Sequence, residues 1–165
     1  MVHVGILSDT HISKISTPFQ QQVQQAFKAC QVIVHAGDLT DVSILDAFKD
    51  KDCYCVCGNM CSPATKQQLP TDLLIELEGY RIGVTHGHIG YRNLEHNLLS
   101  LFPTADCIVF GHTHQPFCQE LGDVLFLNPG TFRSTSPYGA PGTYAILQIE
   151  TNGLQAAIHQ LSLGL

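Results

Sequence analysis

The chain has 165 residues, 44% apolar and 13% charged, and its 8 Lys and Arg against 14 Asp and Glu give a net charge of −6. That length suits one domain, residues 1–165, with a proper core, and the composition excludes disordered, collagen-like and coiled-coil chains. The longest apolar run, Cys53 to Cys57, is far short of the ~20 residues of a membrane helix, and the N-terminus lacks the basic and apolar regions of an export signal, so a cytoplasmic protein is expected.

In chain order, Val2 to Leu7 reads as a buried strand running into the polar turn Ser8-Asp9-Thr10-His11. A helix follows, capped by Ser16 or Thr17, with Pro18 suited to its first position and Phe19, Val23, Ala26, Phe27 and Cys30 at helical spacing. Strand Val32 to Val34 leads into His35-Ala36-Gly37-Asp38. Asp41 then caps a second helix carrying Val42, Leu45 and Phe48 on one face, before strand Cys53 to Cys57 and the turn Gly58-Asn59. This βαβαβ opening predicts parallel strands.

The pattern then changes. Leu73 to Leu77 and Ile82 to Thr85 predict a hairpin turning at Glu78-Gly79-Tyr80, closed by His86-Gly87-His88. A helix from Asn93 with Leu94, Leu98 and Leu99 inward ends before Pro103, and strand Cys107 to Phe110 meets Gly111-His112-Thr113-His114. The tail predicts short strands at Phe117 to Gln119, Val124 to Leu127, Tyr144 to Ile149 and Leu154 to His159, the last two turning at Asn152-Gly153. Met60 to Gln68 and Asn128 to Tyr138 read as loops.

Metal-capable side chains follow five different strands: Asp9 and His11, Asp38, Asn59, His86, then His112 and His114. Loops beyond the carboxyl ends of strands gather at one edge of an open α/β sheet, so these residues are expected to converge. Gly37, Gly58 and Gly111 stand directly before ligands, where a crowded site needs close backbone approach. Seven carboxylate, amide and imidazole ligands exceed one tetrahedral zinc and suit two divalent cations sharing a carboxylate. With no thiolate in the set, manganese or iron is favoured, and zinc, nickel or cobalt also fit nitrogen and oxygen donors. Two cations against two carboxylates leave a positive pocket on an acidic chain, a phosphate site that needs no arginine or lysine.

The motifs D-x-H at Asp9 and His11, G-D at Gly37-Asp38, G-N at Gly58-Asn59, H-G-H at His86 to His88 and G-H-T-H at Gly111 to His114 resemble those of the calcineurin-like metallophosphoesterases, and within them the small bacterial and archaeal phosphodiesterases. The likeness spans nearly the whole chain. It implies a four-layer αββα sandwich, two mixed sheets flanked by helices. It also implies one metal on Asp9, His11 and His114, a second on Asn59, His86 and His112, and Asp38 bridging both. The reaction it implies is hydrolysis of small phosphodiesters, and of some phosphomonoesters, by a hydroxide shared between the metals. Larger relatives carry His directly after the Asn and small ones commonly read G-N-C-D, whereas this chain reads Gly58-Asn59-Met60-Cys61. The acid that protonates the leaving group is then His88 or a metal-bound water.

Each residue also has a plainer reading. His86 alone could be a core imidazole and Asp9 or Asp38 a turn residue, and His3, His96 and His159 are read so. His35 either orients a ligand or is a core residue. Cys53, Cys55 and Cys57 share one strand face without a C-x-x-C pair and read as small buried hydrophobes, while Cys61 is expected near the metals and accessible to oxidants. Arg133 is a candidate contact for a substrate phosphate. Scarce, unclustered cations argue against a nucleic-acid groove, so the expected partner is a small phosphate ester, with no membrane and with the oligomeric state, monomer or homo-oligomer, open. The rival function is a non-catalytic scaffold, because the fold also occurs in a retromer subunit of that kind.

Overall fold

A computed structural model describes residues 1–90, 92–133 and 141–162. Strands β1 (Val2–Leu7), β2 (Val32–His35) and β3 (Asp52–Cys55) pair in parallel, and β9 (Thr143–Glu150) and β10 (Gly153–Gln160) extend the sheet antiparallel from β1, giving the order β10-β9-β1-β2-β3. The second sheet runs β4-β5-β6-β8-β7, from β4 (Asp72–Leu77), β5 (Tyr80–Thr85), β6 (Cys107–Val109), β7 (Phe117–Leu121) and β8 (Val124–Asn128). In it β5, β6 and β8 are parallel and the edge strands antiparallel, so both sheets are mixed.

Alternating side chains explain the layering. Val4, Ile6, Val32 and Val34 of the first sheet meet Ile82, Val84, Val109 and Leu127 of the second in one buried cluster. The intervening Ile33 faces outward, under Phe19 and Val23 of helix α1 (Thr17–Ala26) and its cap residue Phe27, and under Ile44 and Phe48 of a 3₁₀ helix. Ile108 does the same on the other side, under Leu98 and Phe102 at helix α3 (Leu94–Leu101). Strands buried on both faces read as continuous apolar runs, and each sheet is roofed by helix. The result is the αββα sandwich, with an apolar layer between the sheets and one beneath each helical roof.

Local boundaries follow the sequence with some corrections. Helix α1 (Thr17–Ala26) starts where expected, the Ser16 side chain accepting from Phe19 N, with Pro18 in the first turn. The second helix, Val42–Phe48, is 3₁₀ rather than α, with Asp41 at its cap accepting from Ser43 N. A helix absent from the sequence reading, α2 (Pro63–Gln68), occupies the Met60 to Gln68 loop; Ser62 caps it by accepting from Thr65 N. In α3 (Leu94–Leu101) Leu98 is buried but Leu99 is 36% exposed, so the expected inward face is narrower than predicted. The β4–β5 turn is two residues, Glu78 and Gly79, both at positive φ as a type I′ turn requires, and Tyr80 begins the strand. The β9–β10 turn lies one residue earlier than expected, at Thr151-Asn152, since Gly153 already pairs with Glu150. Among the described residues no helix is long and apolar enough to cross a membrane.

Candidate metal centre

Of the six parallel strands, five carry candidate ligands just past their carboxyl ends, β1, β2 and β3 in one sheet and β5 and β6 in the other, and these loops meet at one edge of the sandwich. Backbone hydrogen bonds lace the loops there: Asp9 N to Gly37 O at 3.0 Å, His11 N to Asp38 O at 3.0 Å, and Gly111 N to His86 O at 3.1 Å. Asp9, His11, Asp38, His112 and His114 have φ between 48° and 67°, a left-handed conformation that non-glycine residues adopt at a cost of about 1 kcal/mol or more. Such strain persists only where the surroundings enforce it. Here it turns successive side chains of D-x-H and H-T-H towards a common point.

Two donor groups result. In the first, Asp9 Oδ1 lies 3.1 Å from His114 Nε2 and 3.6 Å from His11 Nε2, and the two imidazole nitrogens are 3.3 Å apart. In the second, His86 Nε2 lies 3.1 Å from Asp38 Oδ2 and 3.1 Å from Asn59 Oδ1. His86 Nε2 is also 4.0 Å from Asp9 Oδ1, so the groups adjoin. The His112 ring stands 5.1 Å from that of His86, and the His88 ring 5.8 Å from His86 and 6.4 Å from His112. The fold thus gathers all seven candidate ligands, and His88 sits exposed at the rim.

The donor chemistry fits a cation. His86 Nδ1 lies 2.8 Å from the Ala36 carbonyl, which can only accept, so Nδ1 carries a proton, and Nε2 faces two oxygens that a second proton or a cation must join to it. Burial opposes the charged ring, but Asp38 and Asp9 outweigh it and raise the His86 pKa. Asp9 Oδ1 is buried without a hydrogen bond despite three imidazole nitrogens within 4.0 Å. Polar atoms buried in this way are costly unless a cation joins them. Ligands about 2.1 Å from one ion lie roughly 3.0–3.5 Å from one another, the spacing both groups approach.

Neighbouring groups fix the carboxylates. Asp9 Oδ2 accepts from His112 N at 3.1 Å and lies 2.6 Å from the Ser8 hydroxyl, whose single proton also serves Gly130 O at 2.7 Å. Burial alone would raise the Asp9 carboxyl, but the neighbouring His11 side chain, the Ser8 hydroxyl and the charges of His86 and His114 outweigh it and hold it below the ordinary range. Burial acts likewise on Asp38, outweighed by His86 and by the Met60 N–H, which donates to Oδ1 at 2.7 Å. Both carboxylates are therefore ionised at neutral pH. Gly58 allows this contact, since a Cβ there would lie 2.0 Å from Asp38 Oδ1.

Several supporting residues carry no motif of their own. Asn128 Nδ2 donates to Gly111 O at 2.9 Å and to Thr113 Oγ1 at 3.0 Å, and Thr131 Oγ1 donates to Asp9 O at 2.9 Å. The Asn128-Pro129-Gly130-Thr131 loop therefore borders the site and braces two ligand loops. Lys66 Nζ donates to Asn59 O at 2.7 Å, and Arg133 Nη1 to His11 O at 3.2 Å, placing one cation beside each donor group. Lys66 lies on the unpredicted helix, which is why sequence spacing gave no hint of it. Residues 134–138 of the expected loop lie outside the described residues.

The cysteines need correction. Cys55, Cys57 and Cys61 are buried, but Cys53 is exposed at the start of an edge strand. Cys61 is not accessible: its Sγ accepts from Gly58 N at 3.3 Å and pins the turn that presents Asn59.

His35 serves the frame. Gly37 N donates to its Nδ1 at 3.2 Å, leaving the proton on Nε2 to donate to Thr10 Oγ1 at 3.2 Å, so a neutral ring ties the β1 and β2 loops together. Burial pushes its pKa from the ordinary 6.5 down to about 4. The unfolded chain therefore takes this proton first, and stability that is complete above pH 6.5 is lost as pH falls towards 4. Urea midpoints between pH 7 and 4 should show His35→Gln with a profile flatter than wild type by roughly 3 kcal/mol; equal slopes would contradict the assignment.

Comparison with known proteins agrees with this architecture. Residues 2–152 match the calcineurin-like phosphoesterase superfamily domain. A probable metallophosphoesterase of Methanothermobacter thermautotrophicus is 37% identical over 158 residues, covering 94% of this chain and 90% of that protein. Vacuolar protein sorting-associated protein 29 of Schizosaccharomyces pombe is 30% identical over 154 residues, covering 87% and 76%. The crystal structure of a Streptococcus pneumoniae protein described as a predicted phosphoesterase superposes with a TM-score of 0.75 at 23% identity, covering 99% of this chain and 94% of that one, a likeness of fold. The chain therefore belongs to the calcineurin-like phosphoesterase superfamily.

Proposed function

We propose that this chain is a metal-dependent phosphodiesterase that hydrolyses small phosphodiesters, and some phosphomonoesters, in the cytoplasm, acting as a single domain. The observation that carries the reading is the convergence of His86 Nε2 on Asp38 Oδ2 and Asn59 Oδ1, beside an Asp9 oxygen with no hydrogen bond. Asp9, His11 and His114 would hold one divalent cation, Asn59, His86 and His112 a second, with Asp38 shared. When bound, such a pair activates the attacking water and neutralises charge on the phosphoryl oxygens.

The chain's own residues supply the rest. Ser8 and the His112 N–H hold Asp9 in one rotamer, and the Met60 N–H does the same for Asp38, so the ligands are oriented before substrate arrives. His88, exposed at the rim beside His86 and His112, holds the proton for the departing oxygen. The donors are nitrogen and oxygen, so manganese is the proposed metal, with iron, zinc, nickel or cobalt as substitutes.

Chelator-stripped protein should lose hydrolysis of bis(4-nitrophenyl) phosphate and regain it with manganese. Activity unchanged by stripping would overturn the reading. The likeness to vacuolar protein sorting-associated protein 29 favours one alternative, a non-catalytic scaffold. Protein that binds manganese yet hydrolyses no phosphate ester would support that alternative.

A further inference from the structure

The geometry points to a pairing of two copies of this chain: the outer edge of β10 meets the same edge of a second copy, antiparallel, and joins their first sheets into one of ten strands. The four sheet edges are unalike. Strands β3, β4 and β7 are four, six and five residues long, and they carry Asp52, then Asp72 and Glu76, and then Glu120. Strand β10 is eight residues long with neither a charge nor a proline, and it pairs with β9 residue for residue from Gly153 to Gln160, without a bulge. Proteins blunt a bare edge with charge, proline, bulges or brevity, and β10 uses none of these.

The phase of the ladder shows which groups this edge offers. Leu161 N donates to Gly142 O at 2.7 Å, so the odd-numbered residues of β10 turn their backbone groups towards β9, and those of Leu154, Ala156, Ile158 and Gln160 turn away from it. Cys118 agrees from the other sheet, its Sγ donating to Ala156 O at 3.7 Å, a weak contact. Among the described residues no backbone group of another element bonds to these four.

Self-pairing then fixes the register. Two copies related by a two-fold axis pair residue i with j and j with i. Setting Ala157 opposite its own copy matches Leu154 with Gln160 and Ala156 with Ile158, so all four outward-facing residues find partners; a shift of two residues either way leaves Gln160 or Leu154 unmatched. On the solvent face, where Gln155, Ala157 and His159 are exposed, Gln155 lies opposite His159 of the second copy, an amide against an imidazole. His159 is already steadied by stacking on Tyr144, with ring centroids 5.3 Å apart. The Ala157 methyl is small enough for the close approach of a pair without hydrogen bonds. On the inner face Leu154, Ala156 and Ile158 pack against the core between the sheets and carry that apolar layer across the axis.

Sedimentation equilibrium of the wild-type chain from about 1 to 100 µM should show a reversible dimer of twice 18.0 kDa. Ala157→Asp sets two carboxylates against each other on the axis and should weaken the dimer about tenfold or more, whereas Ala157→Ser should leave it as tight. Because residue 157 is exposed, Ala157→Asp should melt like wild type at about 1 µM. Ala157→Cys should form a disulfide between the two copies of residue 157 when treated with diamide, which takes up the electrons and protons of the two thiols. Peptide mapping reads that link, and Gln155→Cys should give no link between its own copies. The cross-link decides the matter by itself if the aspartate variant unfolds. A wild type that stays monomeric over the whole range overturns the inference, as does a dimer that a folded Ala157→Asp leaves as tight, or one that yields no link at residue 157.

Discussion

Asp38→Ala should lower hydrolysis of an activated phosphodiester by about a thousandfold or more, the loss expected when a shared carboxylate and the charge it positions are both removed. The side chain is nearly buried, with Oδ2 at 3.1 Å from His86 Nε2 and Oδ1 on the Met60 N–H. Removing it also leaves the Met60 N–H without its acceptor, so the metal-free variant should be about 1–3 kcal/mol less stable than metal-free wild type. The difference grows with cation present. Wild type should gain about 2.7 kcal/mol at a hundredfold excess of manganese over its Kd, and the variant much less. Asp50→Ala, at a side chain that is 73% exposed and distant in sequence from every ligand, serves as the control and should leave the rate unchanged. A variant that keeps the rate and the manganese-dependent rise in Tm would show that Asp38 is not a ligand.

Gly58→Ala should cost nearly as much by a different route. The added methyl would meet Asp38 Oδ1 at 2.0 Å and Asp38 N at 2.6 Å, the second being backbone that cannot swing aside. Relief requires moving the turn that carries Asn59 and Met60. We expect about 1–3 kcal/mol of destabilisation from the overpacking, and about a hundredfold loss of rate from the displaced ligands. Gly79→Ala separates crowding from backbone conformation: at φ +85 with nothing within 4 Å, it should cost about 1 kcal/mol and no activity. Equal behaviour of the two variants in assay and melting curve would remove the steric argument.

The sequence made the frame legible where its signals were redundant. Val4, Ile6, Val32 and Val34 alternate with outward-facing apolar residues, and this placed β1 and β2 almost to the residue. The five ligand segments were legible because strand ends are marked by a change from apolar to polar, and because glycine precedes three of them. Other features depended on tertiary contacts. The α2 helix has only six residues and no apolar stripe, so its Ser62 cap and Pro63 start look like loop chemistry. Leu99 satisfied the helical period, yet α3 is short and buries only Leu98 fully. Cys61 sits two residues from a candidate ligand, but the tight turn from Gly58 directs its sulfur inward. The bracing by Asn128 and Thr131 joins segments 15 and 122 residues apart, a separation at which pattern carries no information.

The left-handed backbone at Asp9, His11, Asp38, His112 and His114 bears on how such a chain diverges. A glycine at any of these positions would relax the polypeptide, and an asparagine would tolerate the same torsions better than most residues. At His11 and His114, whose imidazoles are partly exposed, such a change erases a ligand and leaves the metal-free scaffold at least as firm, whereas Asp9 and Asp38 also pair with the N–H groups of His112 and Met60. Lineages built on this frame can shed catalysis without losing their shape, and an inherited surface then becomes free to acquire other duties.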